Sequence, residues 1–327
     1  MVTITDIAKS LGVSAATVSR ALNNSRLVGA ELTETIKAKS VEIGYNKRVI
    51  RRHRGRAILS IKLILPHHQE PERALFYDLA SLIENIRLGF RECAINLLCE
   101  TASPKFKPFP HKKGGDTSGF IFAFNRPSQA TIRELNEVGT PFIVLNRQIS
   151  GIPCVASENA QGMADIAAHL LSRKPDLKPA YIALEGMGQV GEERLAGFST
   201  ACESLGIPFD SKNDSYRMPD INSITSESMR SISNSYNAVV CANDIVGTVV
   251  LTELDRLGIP IPSQMAVTGF DDSPVRRLSR PLLTTVSMPI GELARSAATR
   301  LETQIIEHKK NLEITRIPGV LLIGEST

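Results

Sequence analysis

Residues 3–24, TITDIAKSLGVSAATVSRALNN, determine how the chain begins. Thr and Asp at the start are helix-capping residues, and Gly12 ends the first helical pattern. A second pattern follows after only two residues, with Ser14 in the N-cap position, and such a tight turn is typical of a helix-turn-helix. A third pattern over residues 32–44 completes a three-helix head. Its predicted core contains Ile4, Ile7, Ala8, Leu11, Val18, Ala21, Leu22, Ile36, Val41 and Ile43.

The second helix of this head has small side chains and almost no charge. A helix that enters the major groove of DNA must bring its first turn close to base edges and phosphates, which favours small residues. Ser14, Thr17 and Ser19 can donate hydrogen bonds to phosphate oxygens, and Arg20 can bind the edge of a guanine. In the alternative interpretation, the hydroxyls only cap the helix and Arg20 points into solvent.

The charge of the chain is unevenly distributed. Residues 1–56 carry 11 Lys and Arg against 4 Asp and Glu, whereas the remaining 271 residues carry 27 bases and 30 acids. Six of the bases lie in the 11 residues 46–56. A basic head of net charge +7 on a mildly acidic body is typical of a nucleic-acid-binding module attached to a separate core.

Several classes of protein are disfavoured by composition. The five cysteines are scattered and odd in number, which favours reduced thiols in a cytoplasmic protein over disulfides or a zinc site. We find no apolar run long enough for a membrane span and no signal peptide. Neither a Ser-His-Asp spacing nor a metal-type His pair stands out, so we expect no enzyme, no metal and no cofactor.

The body of the chain alternates short apolar runs with helical patterns. The runs include AILSIKLILP, GFIFAF, PFIVLN, AYIALEG, AVVCAN and MAVTGFD, and the predicted helices include 79–92, 160–173, 192–205 and 246–258. This βαβ rhythm predicts parallel, doubly wound sheets. The expected fold class is therefore an N-terminal all-α head followed by an α/β core.

Several motifs resemble the lactose-repressor (LacI/GalR) family of transcription regulators. Residues 3–24 match the start of that family, and CANDIV (241–246), GFDD (269–272) and PLLTTV (281–286) follow its later signatures in order. The resemblance implies a core of two doubly wound lobes, like a periplasmic binding protein, with a ligand in the cleft between them. It also implies that Ala15, Ala16 and Arg20 read bases, while Ser14, Thr17 and Asn23 contact the DNA backbone.

The resemblance divides the chain into a head, a hinge and two discontinuous lobes. The head spans 1–45, the basic hinge linker 46–57 and the effector-binding and dimerisation core 58–327. Within the core, we expect an N-lobe of about 58–157 and 284–314 and a C-lobe of about 158–283 and 315–327. The chain would then cross between the lobes near 156–160, 281–286 and 313–317.

Polar residues just after the core strands predict the effector site. Asn, Arg and Asp around one crevice can sort a polyhydroxylated or heterocyclic ligand. The resemblance makes effector contacts of Arg194, Asn243, Asp271, Phe76 and Tyr77, while Asn146 stands where relatives often carry Asp. In the alternative interpretation, Arg194 forms an interlobe ion pair with Asp272, and Asp244 is a helix N-cap.

Two segments depart from the family pattern. At the three hinge positions where relatives have Asn, Ala and a minor-groove leucine, this chain has Arg48, Arg51 and Arg54. Arginines suit a narrow, electronegative minor groove, which favours reading by shape and charge, with Ile50 as the alternative apolar wedge. A linker that is disordered and merely adhesive is the third possibility. Prolines within 101–119 make the usual second helix of the lobe incomplete.

One further motif, GMGQVG at residues 186–191, matches the dinucleotide fingerprint G-x-G-x-x-G. It lies in the middle of the chain, and no second strand ending in an acid follows convincingly, so we expect an effector-lobe loop. The predicted function is a cytoplasmic repressor that binds double-stranded operator DNA as a homodimer and responds to a small-molecule effector, most simply a sugar. Alternatives are a sugar-binding uptake protein and a purine-responsive, co-repressed regulator.

Overall fold

The computed structural model describes residues 3–22, 28–45, 51–53, 56–67, 77–109, 117–308 and 312–327. For residues 51–53, 56 and 57 it describes the backbone alone. Five of the predicted site residues lie outside these ranges: Asn23, Arg48, Ile50, Arg54 and Phe76. Their predicted roles therefore stay predictions.

The head consists of three helices: α1 (Ile4–Leu11), α2 (Ala15–Leu22) and α3 (Ala30–Glu42). Thr3 and Asp6 form a reciprocal capping box at the start of α1, and Gly12 ends it with a left-handed φ of 64°. Most of the predicted core is buried or packs against the buried cluster. Val41 is an exception, since 80% of it is exposed. The inward face of α3 follows Thr33, Ile36 and Ser40 instead, at helical spacings of three and four residues.

The predicted hinge is not a linker throughout. Strand β1 (Arg51–His53) pairs antiparallel with the start of β2 (Arg56–Leu65), with Arg51 opposite Ile58. The backbone of Arg51 therefore belongs to the first sheet of the core. The pairing corrects the expectation that the core begins at residue 58.

The first lobe is built on a parallel sheet in the order β3-β2-β4-β5-β6-β12. The strands after β2 are β3 (Ala94–Thr101), β4 (Gly119–Ala123), β5 (Phe142–Leu145), β6 (Cys154–Ser157) and β12 (Ile314–Ile317). Helices α4 (Leu79–Gly89) and α10 (Ile290–Glu307) cover one face, and α5 (Gln129–Val138) covers the other. Every residue of β4 is buried, as expected for a strand covered on both faces. The described residues between β3 and β4 contain no helix.

The second lobe repeats the arrangement with a parallel sheet in the order β10-β9-β7-β8. Its strands are β7 (Pro179–Leu184), β8 (Ser215–Met218), β9 (Ala238–Cys241) and β10 (Ala266–Thr268). Helices α6 (Asn159–Arg173) and α7 (Gly188–Leu205) pack on one face, and α8 (Ser226–Ser233) and α9 (Asp244–Arg256) on the other. The two lobes therefore have the doubly wound, parallel architecture that the sequence predicts.

The chain passes between the lobes three times. The first crossing follows β6 at Glu158. The second lies at Met288, because residues 284–287 still pair beside the second sheet and Met288 packs in the core of the first lobe. The third follows Ile317, since all of β12 pairs with β6, and the chain then forms β13 (Leu321–Leu322) against β11 (Thr285–Val286). The second and third crossings thus come slightly later than predicted.

A close contact packs the N-terminus of α6 against the middle of α7 beside the crossing. Gly197 of α7 lies against α6 so tightly that a Cβ atom there would be 2.7 Å from the Cα of Ala160. Such an approach requires glycine. Both helices begin at the carboxyl ends of strands, which is where ligands bind in open parallel sheets.

Candidate functional site

The exposed face of α2 carries the residues predicted to contact DNA. Ser14, Ala15, Ala16 and Arg20 are exposed and Thr17 is partly so, whereas Val18, Ala21 and Leu22 on the opposite face are buried. The five predicted contacts on α2 and at its N-cap therefore lie at the surface of the head, whereas Arg51, of which only the backbone is described, lies in β1. The five lie there because the apolar positions of α2 turn toward α1 and α3.

Ser14 has a local role as well. Its Oγ accepts a hydrogen bond of 3.0 Å from the backbone N of Thr17 and lies 2.8 Å from the Thr17 hydroxyl. Ser14 is thus the N-cap that the sequence predicts, and capping does not remove it from the surface. Arg20 has no ion pair with any described residue, so its guanidinium is available to a partner.

In the second lobe, Arg194 is the centre of a buried polar cluster. It is 1% exposed, although it lies seven residues into α7. Its Nη2 donates to Asp271 Oδ1 at 2.5 Å and its Nη1 to Asp271 Oδ2 at 3.2 Å and the carbonyl of Ala242 at 2.6 Å. Its Nε donates to Asn159 Oδ1 at 3.0 Å, and the guanidinium stacks on the ring of Phe270. A charge buried this deeply requires such a partner.

The predicted alternative for Arg194 is therefore wrong in its partner. Asp271, not Asp272, pairs with Arg194, and the two residues belong to the same lobe. Asp272 pairs with Arg276 at 3.1 Å. The pair of Arg194 and Asp271 fixes α7 to the end of β10 and orients both side chains at the cleft.

Asn243 and Asp244 follow β9 and have different roles. Asn243 is the N-cap of α9, because its side chain accepts from the backbone N of Val246 at 2.9 Å, and it is fully buried. The alternative interpretation of Asp244 as the N-cap is therefore wrong. Asp244 is the first helical residue and accepts 2.6 Å hydrogen bonds from the Thr285 hydroxyl and the backbone N of Ser273. Burial, helped by the charges of Asp271 and Asp272, raises the pKa of Asp244 to about 8.

Asn146 lies on the opposite side of the cleft, directly after β5. It is 5% exposed; its Oδ1 accepts from the backbone N of Ser157 at 3.0 Å and its Nδ2 lies 3.2 Å from the sulfur of Met288. Tyr77, the described one of the two predicted aromatic contacts, stacks on Phe124 with ring centroids 4.3 Å apart. Burial raises the pKa of Tyr77, and the positive charge of Arg147 opposes that rise.

Arg147 is a cleft residue that the sequence did not predict. Its Nη1 donates to the carbonyl of Asn146 at 2.6 Å. Burial and the neighbouring charge of Arg194 lower its pKa to about 10, so it stays charged at neutral pH. The signal in the sequence was an arginine two residues after the buried strand β5, next to Asn146, and only the fold shows that this strand end faces α7.

Strained backbone clusters around the same cleft. Phe124, Asn146, Asp271 and Asp272 all have positive φ, between 48° and 103°, although none of them is glycine. Each follows a strand at the edge of the sheet that faces the cleft. Left-handed backbone at such residues costs free energy and concentrates where side chains must be aimed.

The two lobes also contact each other across the cleft. Arg126, which follows β4, donates to the side-chain oxygen of Gln189 in α7 and to the carbonyl of Gln148 at 3.1 Å. Arg316 of β12 approaches Glu193 of α7 at 3.8 Å. Polar contacts made by the long, flexible side chains of two arginines therefore link the lobes.

The glycine motif at 186–191 forms a short 3-10 turn and the first residues of α7, which begins at Gly188 rather than at 192 as predicted. The next strand, β8, ends at Met218, and the acid that follows, Asp220, caps a 3-10 helix. Within the described ranges, no group of three or more His, Cys, Asp or Glu side chains can hold a metal ion. Among the helices that the structure describes, none combines the length and apolar character needed for a membrane crossing.

Comparison with known proteins agrees with both parts of this geometry. Residues 3–47 match a family described as bacterial regulatory proteins, lacI family, and residues 167–327 match a periplasmic binding protein-like domain. The ribose operon repressor of Halalkalibacterium halodurans is 26% identical, with 100% of this chain and 97% of that protein covered. The HTH-type transcriptional regulator DegA of Bacillus subtilis is 28% identical, covering 99% and 98%.

Solved structures show the same fold. A complex of the transcriptional regulator CelR with cellobiose superposes with a TM-score of 0.68 at 22% identity and covers 100% of both chains. The lac repressor dimer bound to operator and the anti-inducer ONPF superposes with a TM-score of 0.64 at 19% identity, covering 99% of this chain and 98% of that one.

Proposed function

Because the chain belongs to the lacI family of bacterial regulatory proteins, we propose that it is a cytoplasmic transcriptional repressor whose affinity for an operator is set by a small molecule bound between the lobes. The observation that carries this proposal is the presence of two complementary sites in one chain. An exposed, small-sided helix lies on a basic head, and a cleft lined by buried polar residues lies in the core.

The head binds DNA through the exposed face of α2. Ala15, Ala16 and Arg20 are assigned to base edges, and Ser14 and Thr17 to phosphates. The small residues let the helix approach the groove, and the guanidinium of Arg20 can donate two hydrogen bonds to a guanine. Asn23 and the basic residues Arg48, Arg51 and Arg54 extend this assignment to the backbone and the minor groove, with Ile50 as the alternative wedge.

The effector binds at the carboxyl ends of the core strands. Arg194, Asn243 and Asp271 contribute from the second lobe, and Asn146, Phe76 and Tyr77 from the first. A ligand held by both lobes favours one arrangement of them, which is how differential binding shifts a conformational equilibrium. The names of the ribose operon repressor and the CelR complex favour a sugar, and purines are the second class to test.

The active form on DNA is a homodimer. One head of three short helices covers only a half-site, so two heads are needed for a pseudo-palindromic operator. The similar lac repressor structure is a dimer on its operator. The alternative of an uptake protein with an accidental basic head is wrong, because that head matches the regulatory family on its own. The relatives are regulators, and we propose no catalytic activity.

A two-step experiment tests this proposal with the full-length protein. Selection from random duplex DNA should yield a palindromic operator, and fluorescence anisotropy then gives its affinity for the protein. A thermal-shift screen of sugars and purines identifies the effector, because a ligand at 100 times its Kd adds about 2.7 kcal/mol of stability. Failure to enrich any sequence, or an effector that leaves operator affinity unchanged, contradicts the proposed function.

A further inference from the structure

A small cavity lies between the lobes at the point where α6 and α7 begin. Residues of the first lobe, Asn146 and Arg147, form one side, and Asn159, Gln189, Val190 and Glu193 of the second lobe form the other. The cavity adjoins the cluster around Arg194. It differs from that cluster in its charges, because Arg194 pairs with Asp271, whereas the arginine of the cavity donates only to a backbone carbonyl.

The cation in this cavity has no carboxylate partner. Arg147 donates one hydrogen bond to the carbonyl of its own neighbour, and no Asp or Glu of the described residues lies within ion-pair distance of it. Asn146, the adjacent side chain, is neutral. Arg126 and Arg194 are also close enough to lower the pKa of Arg147, while Asp271 and Glu193 act in the opposite direction. A partly buried guanidinium without a paired anion is costly to maintain in the absence of a ligand.

The carboxylate at the edge of the cavity is already engaged. Glu193 Oε2 accepts from Asn159 Nδ2 at 2.9 Å, and Glu193 Oε1 accepts from Gln189 Nε2 at 2.9 Å. Arg316 approaches Glu193 at 3.8 Å. The negative charge of Glu193 is therefore directed toward these three side chains, and it does not form an ion pair with Arg147.

Two helix N-termini add to the positive potential. The first residue of α6 and the second and third residues of α7 line the cavity, and neither helix has a hydrogen-bonding side-chain cap. These helices are 15 and 18 residues long, so each presents backbone N–H groups without intrahelical partners and the positive end of its dipole. Helix N-termini of this kind bind phosphate and carboxylate groups.

We propose that the effector carries an anionic group, a phosphate or a carboxylate, bound by Arg147 and the N-termini of α6 and α7. The effector is then a phosphorylated or acid sugar rather than a neutral one. This inference rests on the proposed function, because it specifies the ligand of the same cleft. Its basis is the charge balance of the cavity, in which Arg147 lacks the acid that would otherwise neutralise it.

Isothermal titration with matched sugars tests this inference on the full-length protein. Ribose is compared with ribose 5-phosphate, and glucose with glucose 6-phosphate and gluconate, so that the neutral, phosphate and carboxylate forms are separated. We expect at least one anionic form to bind about tenfold or more tightly than its neutral parent, the gain expected from charge-assisted hydrogen bonds. The same anionic form must change operator affinity.

Three variants locate the effect. Arg147→Gln removes the cation and should abolish the preference for the anionic form, whereas Arg147→Lys should retain part of it. Asn146→Asp places a carboxylate beside Arg147 and can still accept from Ser157, so it should reduce anion affinity about tenfold while the fold remains intact. Arg217→Gln is the matched control, because Arg217 forms an exposed pair with Glu192 and does not line the cavity.

The failure of this inference differs from the failure of the proposed function. A neutral sugar that binds as tightly as its anionic forms and alters operator affinity would overturn the inference and leave the repressor function standing. An anionic preference that persists in Arg147→Gln would also overturn it. Absence of specific DNA binding in the wild-type protein counts against the proposed function itself.

Discussion

Two arginines, Arg20 in the head and Arg194 in the core, show how differently the two regions present charge. Arg20 is exposed on α2 and pairs with no described residue. Arg194 is 1% exposed and donates hydrogen bonds to Asp271, Asn159 and the backbone of Ala242. One guanidinium is available to an external partner, and the other is already part of the fold.

This difference teaches how each site is built. DNA supplies its own negative charge and a wide groove, so the head needs only an exposed face on a stable helix. A small ligand must be enclosed, so the core holds its polar groups in place before the ligand arrives. We therefore expect substitutions in the head to change DNA affinity with little effect on stability, and substitutions around Arg194 to change both stability and effector response.

The largest effect is expected for Arg194→Ala. This change leaves Asp271 buried without its partner, which costs about 3–5 kcal/mol of the free energy of unfolding. Urea denaturation of the full-length protein measures the loss, and effector titration should show no response. Arg217→Ala is the control, because its exposed pair with Glu192 contributes little. A stable Arg194→Ala protein with a normal effector response would contradict the role of the pair.

Arg20→Ala should affect DNA recognition alone. Loss of a bidentate contact to guanine weakens binding to the selected operator by about 1–3 kcal/mol, while salt-sensitive binding to random DNA remains. Anisotropy on both duplexes measures the difference, with Lys37→Ala of α3 as the control. Equal losses on the two duplexes would show that Arg20 contacts phosphate rather than a base.

Asp244→Asn examines a second buried ionisable group of the core. The pKa of Asp244 is about 8 in the folded protein, above its usual 3.8, so the folded state binds a proton that the unfolded state releases. Stability from this group is therefore lost as the pH rises from about 4 to 8, by at most about 1.4 kcal/mol per pH unit.

In Asp244→Asn, the side-chain oxygen can still accept a hydrogen bond from the backbone N of Ser273, and the amide nitrogen can donate one to the Thr285 hydroxyl. Urea denaturation between pH 5.5 and 7.5 should show wild-type stability falling more steeply with pH than that of the variant. Because other titrating groups are shared, the difference between the two slopes isolates Asp244. Parallel slopes would mean that Asp244 is ionised throughout.

The smallest effect concerns Ser14, which has a role in stability and a proposed role in DNA binding, because it is an N-cap on the face proposed to bind DNA. Ser14→Ala should cost about 1 kcal/mol of head stability through the lost cap, and Ser14→Asp should restore the cap. The aspartate, however, repels phosphate, so DNA affinity should fall further in Ser14→Asp than in Ser14→Ala. Thermal melts and anisotropy separate the two roles; full DNA affinity in Ser14→Asp would remove Ser14 from the phosphate contacts.

Much of this architecture was predictable because the relevant signals are local. The turn at Gly12, the cap at Ser14 and the βαβ rhythm each depend on a few neighbouring residues, and the family resemblance that they carry is confirmed by the two family matches. The prediction that Val41 belongs to the core was wrong. A valine near the end of an apolar pattern cannot be assigned to the inward or the outward face of α3 from the sequence, because the packing of the helix decides which face it occupies.

The cleft was harder to predict because its contacts join distant parts of the chain. The partner of Arg194 is 77 residues away, and neighbouring aspartates in GFDD look alike in the sequence. The backbone conformations of the two aspartates distinguish them. Their φ angles of 103° for Asp271 and 48° for Asp272 direct the two side chains differently. Arg147 was missed for the same reason, since its importance depends on α7 across the cleft.

The most direct test of the central claim, that the head and the cleft act on each other, is reciprocal coupling. Linkage requires an effector that changes operator affinity by some factor to have its own affinity changed by the operator by the same factor. Titrating the effector into free and operator-bound wild-type protein, and the operator into free and effector-bound protein, measures both factors. We predict two equal factors clearly different from one, in the range of about 5 to 150 that is usual for such coupling. Two factors of one would show that the cleft ligand does not control the head, and would contradict the account.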